Sequence, residues 1–192
     1  MVVTSGGNGP CRAGHYGELS ERIMRSIGKD IEVIVFDSIY QKPIDFIKKV
    51  NRVNSARLSP LSIIQLVRFY WRKLQALDNL ERLSHKVRPR ELKRDDTTKA
   101  FQQGIEWIRK AETLSGVVEA EREGLLVLEN VPQDAGRKVV RVGIVGEIYV
   151  VLEPAINLEI EEMLGNLGVE VDRSIYLTGW TRANTFGHKD NF

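Results

Sequence analysis

The sequence predicts an α/β protein, a parallel flavodoxin-like or Rossmann-like sheet interrupted by a large helical insertion. Three observations carry that prediction. A strand–helix–strand pattern fills residues 2–36, strand character returns from residue 139, and the stretch between shows helical periodicity with no convincing strand. The organisation that follows is a discontinuous α/β domain, residues 1–51 and 138–192, with residues 52–137 as the insertion.

Taken in order, Val2-Val3-Thr4 reads as a short buried strand, followed at once by the glycine-rich stretch from Ser5 to Gly14. A helix is expected over 13–27, with Leu19, Ile23 and Ile27 on one face and Gly28 as its stop. Residues 31–36 (IEVIVF) alternate and are rich in β-branched side chains, which gives a second strand. Two strands joined through a helix should run parallel. Pro43 can open a short helix over 43–50. Pro60 can open a much longer one, in which Ile63, Val67, Tyr70, Leu74, Leu77, Leu80 and Leu83 recur every three or four residues as far as Val87. A charged linker, 88–96, leads to a third helix through Phe101, Ile105, Ile108, Ala111 and Leu114, with a continuation to Leu128. Residues 139–150 read as one strand. After Pro154 a helix is expected over 158–167, with Asn157 as N-cap and Gly168 as C-cap, and then a strand at 169–171. The tail, 181–192, is polar and without pattern. Both ends read as cut, and the expectation is an excised piece of a longer protein.

Composition excludes several classes. The chain has 192 residues, 28 Lys+Arg, 26 Asp+Glu and a formal net charge of +2, which gives no general attraction to nucleic acid. Its 42% hydrophobic content is that of a globular protein able to fold without disulfide or metal. One cysteine can form neither an internal disulfide nor a thiolate cage. No apolar run approaches the roughly 18 residues of a membrane span, and the N-terminus lacks the basic and apolar regions of a signal peptide. A cytoplasmic protein with a reduced thiol, no membrane and no nucleic-acid partner is expected. The basic segment 82–94 lacks interleaved aromatics and reads as a solvated helix end rather than a nucleic-acid surface. The cluster Phe69-Tyr70-Trp71 reads as packing.

The residues that can carry chemistry gather in the first loop. Cys11 follows Gly6, Gly7, Asn8 and Gly9, which suit unusual backbone angles, and Pro10, which suits a first helical turn. A sulfur at a helix start is favoured as thiolate, and Arg12 adds a positive charge. A reactive or metal-binding cysteine and an inert buried one both remain open. Other loop chemistries fit the spacing poorly. No Lys-Ser/Thr pair follows the glycines as a P-loop requires. Gly7-Asn8-Gly9-Pro10-Cys11-Arg12 misses the last glycine of the dinucleotide pattern, with Ala13 or Gly14 close by and Asp37 about the only acidic candidate, which leaves that pattern weak. A phosphatase loop fails, because Gly17 stands where it places Arg. His15, one turn from Cys11, makes a Cys–His pair geometrically possible, without an evident third member. His85 and His188 read as surface or hydrogen-bonded residues. Gly146 and Glu147 follow a predicted strand and either face a ligand crevice at its carboxyl end or are bland, with Gly143 marking a bulge or tight packing and Glu147 solvated.

Two blocks carry a resemblance. Asn8-Gly9-Pro10-Cys11-Arg12-Ala13-Gly14-His15-Tyr16-Gly17, together with Val142-Gly143-Ile144-Val145-Gly146-Glu147-Ile148-Tyr149-Val150 and the passage from Asn157-Leu158 to Leu164, resembles the 2-hydroxyacyl-CoA dehydratase-like proteins. The nearest branch is that of the CoA-substrate-specific enzyme activases, the activators of 2-hydroxyglutaryl-CoA dehydratase. The blocks cover about 50 residues. The resemblance implies an oxygen-sensitive iron–sulfur system of anaerobic bacteria, with low-potential electrons supplied by an ATP-hydrolysing activator domain or subunit. It implies that Cys11 is a cluster ligand and that Gly9 and Arg12 belong to the cofactor-binding loop. A [4Fe–4S] cluster needs about four thiolates, so the remaining ligands must come from other domains of the parent or another chain. The segment alone is expected to bind neither ATP nor a complete cluster and to be inactive in isolation. The alternatives are a non-catalytic α/β interaction module that docks an ATPase or dehydratase partner through the helical insertion, and a cysteine hydrolase using Cys11 and His15.

Overall fold

A computed structural model describes residues 1–5, 15–36, 42–54 and 58–186. The protein is mixed α/β and divides into two compact units, Met1–Leu66 with Ala183–Phe192, and Val67–Arg182. Among the described residues, no helix is long and apolar enough to cross a membrane.

The first unit is built on β1 (Val2–Ser5) and β2 (Val33–Phe36), which pair in parallel with Val2 opposite Val33 and Ser5 opposite Phe36. The crossover contains α1 (Tyr16–Ser26). Gly17 is the buried residue of α1, and a Cβ there would overlap Val35, so the helix approaches the strand at a distance only glycine permits. α1 ends as the sequence implies. Gly28 takes φ +72°, its N–H donates to the Arg25 carbonyl and the Lys29 N–H to that of Met24, closing the turn in a Schellman arrangement. α2 (Pro43–Val53) starts at its proline and sets Phe46 edge-on to Phe36, with ring centroids 5.4 Å apart.

The second unit has a helical core. α3 (Pro60–Val87) is the long helix that the periodicity marks; from residue 67 onward it contributes Ala76, Leu80 and Val87 to a core with Ala100, Ile108, Val117, Ala120, Leu128 and Val131. The single helix expected through Leu128 is two: α4 (Asp96–Lys110) and α5 (Leu114–Glu129). Ala111 turns to extended backbone, and the Thr113 side chain accepts the Gly116 N–H to cap α5. The two helices touch where neither has a side chain. A Cβ on Gly104 would lie 3.3 Å from the Gly124 Cα and 2.9 Å from Leu80 Cδ1, so Leu80, fully buried, fills the notch above both glycines.

The linker before α4 is largely buried in its first half, residues 88–91, and exposed over 92–95. Arg88–Arg90 forms a 3₁₀ turn with Arg88 and Pro89 buried. The buried Glu91 accepts the Asp95 and Thr97 N–H groups at 3.1 and 2.8 Å, satisfying the start of α4 in place of a local cap. Beyond the helices, β3 (Val140–Ile144) and β4 (Val169–Arg173) pair in parallel without interruption, Val140 opposite Val169 and Ile144 opposite Arg173. The register leaves no bulge at Gly143. Residues 148–150, read as strand, instead enter α6 (Ile148–Leu152); α7 (Ile160–Asn166) follows after a left-handed pair, Leu158 and Glu159. Asn157 still serves the start of α7, its Oδ1 accepting the Ile160 N–H at 3.3 Å. Residues 181–186, expected to be patternless, belong to α8 (Leu177–Phe186). The strands described therefore form two parallel pairs, β1–β2 and β3–β4.

Candidate functional site

The loop singled out by the sequence runs from the carboxyl end of β1 to α1, and Gly9, Cys11 and Arg12 lie outside the described residues, as do Asp37 and His188. His15 stands at the N-cap of α1, exposed, with no capping hydrogen bond from its side chain. At the carboxyl end of β3, Glu147 has a defined structural task. Its Oε2 accepts the N–H groups of Tyr149 and Val150 at 2.8 and 3.1 Å and so caps α6. Gly146 sits against Val151, where a Cβ would be 3.1 Å from a methyl carbon. Glu147 is exposed, and one of its two carboxylate oxygens is engaged by these backbone donors.

A second group of side chains, absent from the sequence reading as a group, is brought together inside the Val67–Arg182 unit. Val169, Val171 and Arg173 alternate along β4 and share a face, so Arg173 occupies a position where another Val would be unremarkable. Its side chain is only 1% exposed. Nη1 lies 3.1 Å from Glu81 Oε1 and 3.2 Å from Glu161 Oε2, while Nη2 donates to Glu81 Oε2. Glu161 also lies 3.3 Å from His85 Nε2, and His85 Nδ1 is 3.3 Å from the Tyr176 hydroxyl. Tyr176 is buried, with the Arg82 guanidinium 3.6 Å and that of Arg173 4.4 Å from its ring centroid. Four segments (α3, α7, β4 and the turn after β4) thus meet through charge.

The local electrostatics follow from this geometry. Burial by itself would raise the Glu161 carboxyl, but the His85 hydrogen bond and the charges of His85 and Arg173 outweigh it and hold the group below the ordinary value of 4.5. Burial likewise works against the Arg173 charge, and the Glu81 hydrogen bond with the charges of Glu81 and Glu161 more than offsets it, raising the guanidinium above its ordinary value. Burial pushes the Tyr176 hydroxyl up to about 12, against the pull of Arg173 and Arg82.

Glu81, His85 and Glu161 offer ligand atoms within 4.8 Å of one another, a donor set suited to a divalent cation. The positive charge there is already supplied, because the Arg173 guanidinium bridges both carboxylates. A metal would have to displace the buried Arg173 from both carboxylates, and the group reads as an internal ion-pair network. Nor does it suit an iron–sulfur cluster, which needs thiolates where this network has oxygen and imidazole. With one cysteine in 192 residues, the chain does not by itself hold a complete cluster.

Of the basic segment 82–94, Arg82, Lys86, Lys93 and Arg94 are exposed, as a solvated helix end requires, while Arg88 and in part Arg90 turn inward. Arg88 Nη1 donates to Thr98 Oγ1 at 2.5 Å and lies 3.4 Å from Glu162, and α7 passes so close that a Cβ on Gly165 would be 2.5 Å from Arg88 Cδ. Arg90 pairs with Glu170 at 2.7 Å. The one signal in the sequence that could have found this network is the Val-Glu-Val-Asp-Arg alternation of β4, which puts a cation on an inward face. No family model matches the chain, and neither a curated protein nor a solved structure does so.

Proposed function

We propose that this chain is a segment of an iron–sulfur, ATP-coupled CoA-substrate-specific enzyme activase or 2-hydroxyacyl-CoA dehydratase-like reductase. In this reading it is a cytoplasmic protein of an anaerobe, built on a flavodoxin-like or Rossmann-like parallel sheet with a helical insertion. Cys11 gives one thiolate to a [4Fe–4S]-type cluster whose other ligands come from outside the chain. Gly9 lets the backbone approach the cluster and Arg12 offsets its negative charge, while an ATP-hydrolysing activator domain or subunit is the partner. The observation that carries the reading is the Asn8-Gly9-Pro10-Cys11-Arg12 block, which in the sequence follows β1 and precedes α1 of a parallel strand–helix–strand unit, the kind of connection at which α/β proteins bind ligands. In this reading a positive setting around the sulfur, to which Arg12 contributes, keeps it a thiolate. Because the chain's own residues do not complete the cluster, the chemistry belongs to the parent assembly, and this segment's contribution is one bond and its electrostatic setting.

The test uses the full-length parent expressed without oxygen. Cys11→Ala is expected to lower iron content and the cluster's visible absorbance while leaving far-ultraviolet dichroism unchanged. Iron content and spectrum equal to wild type would remove Cys11 from the ligand set.

A further inference from the structure

A polar groove of about 540 Å³ opens along one face of α3, lined by Arg72, Gln75, Asp78, Asn79 and Arg82 with Thr178 from the first turn of α8. Its charges are arranged in an unusual way. Asp78 and Arg82 are four residues apart on the helix, the spacing at which opposite charges ordinarily join, yet neither is ion-paired among the described residues. Each is held elsewhere. The Asp78 carboxylate, buried, accepts the Thr178 N–H at 3.0 Å and its hydroxyl at 2.5 Å through one oxygen, Oδ2. Arg82 sits over Tyr176, its guanidinium carbon 3.6 Å from the ring centroid, and among the described residues its N–H groups make no hydrogen bond or ion pair, which leaves them available to an acceptor. Arg72 is neutralised by Glu121, which also takes the Asn79 amide N–H at 2.7 Å. The groove therefore presents one anion and one cation, a helical turn apart and kept from cancelling, flanked by the amides of Gln75 and Asn79.

We propose that this groove binds a free α-amino acid. The ligand's carboxylate takes the guanidinium edge of Arg82, a two-point charge-assisted match. Its ammonium group donates to Asp78, whose carboxylate has lone pairs beyond the two that Thr178 uses. A simple anion would meet Asp78 unfavourably and a simple cation would meet Arg82; a zwitterion satisfies both.

The experiment is a nuclear magnetic resonance titration of the 192-residue chain, following the Arg82 side-chain N–H, with L-alanine (the zwitterion alone), L-glutamine (the same with an amide), acetate and ethylammonium as probes. Both amino acids are expected to saturate with a roughly millimolar dissociation constant, and each singly charged probe to bind at least about tenfold more weakly. Arg82→Gln alters an exposed side chain and should keep the wild-type amide spectrum away from Tyr176 and its neighbours while weakening L-alanine by about tenfold or more, read from the Thr178 amide. Failure of both amino acids to saturate, acetate titrating as well as L-alanine, or an Arg82→Gln chain that binds L-alanine like wild type would each overturn the proposal.

Discussion

The two parallel strand pairs share a motif and differ in what supports it. β1 and β2 are four residues each, and the helix between them touches down through Gly17 while Leu19, Ile23 and Ile27 stay 53%, 48% and 62% exposed. The ion pairs of α1, Arg22–Glu18 and Arg25–Glu21, lie in solvent and contribute little. β3 and β4 are five residues each, hardly longer, yet β4 buries Val171 and Arg173 and is tied through Arg173, Glu170 and α7 to the helices of its unit. A two-stranded sheet is at best marginal alone. What distinguishes the second pair is that its inward positions meet a packed helical layer, and that one of those positions is filled by a charge whose counter-charges are also fixed.

The largest expected effect comes from removing that charge. Arg173→Met leaves Glu81 and Glu161 without the guanidinium that bridges them and should cost about 3–5 kcal/mol, measured as a loss of urea-unfolding free energy. Replacing all three residues together, Arg173→Met with Glu81→Leu and Glu161→Leu, should recover most of that loss, because the apolar substitutes need no counter-charge. A loss under about 1 kcal/mol for the single variant would mean that the network is solvated and that the second pair is no better anchored than the first.

That network also shows where sequence reasoning stops. The helix Pro60–Val87, the parallel pairing and the glycine stop at Gly28 were legible because each is a local or periodic property. The break at residues 111–113 was not, since Ile105, Ile108, Ala111 and Leu114 keep helical spacing across it and only the Thr113 cap reveals the restart. Glu147 read as a possible ligand-facing group because its backbone partners, two and three residues on, exist only once α6 has formed. Arg173 drew no notice because its partners, Glu81 and Glu161, are 92 and 12 residues away in sequence. Pairings of that range depend on packing, which composition and period do not encode.

An intermediate effect should appear as pH dependence. The folded Glu161 carboxyl is held below its ordinary 4.5, so the unfolded chain binds the proton more readily. The stabilisation is therefore present above about pH 4.5 and is lost as pH falls through the lower folded value. Tyr176 works at the other end with the opposite sign. Its hydroxyl is raised from 10.0 to about 12, so its contribution is complete below pH 10 and disappears as pH rises toward 12. Glu161→Gln should flatten the acid limb of a stability-against-pH curve and Tyr176→Phe the alkaline limb, each leaving the other limb in place. Limbs unchanged by both substitutions would detach the titration from this network.

The smallest effect is expected where the first pair looks weakest. Leu19→Ser with Ile23→Ser removes two apolar side chains from a face that α1 leaves open, and exposed substitutions of this kind shift stability by no more than about 0.5 kcal/mol. A fully buried leucine contributes about 1.5–3 kcal/mol, so the double variant separates two conditions of the same helix. A loss of about 0.5 kcal/mol or less, measured on the 192-residue chain, would show that the stripe is bare in solution and that the first pair rests on Gly17, its short ladder and the Phe36–Phe46 contact of α2. A loss above about 2 kcal/mol would require the stripe to be covered. The contrast between the two strand pairs would then lie in the chemistry of their cover, apolar for β1–β2 and ionic for β3–β4, rather than in whether they have one.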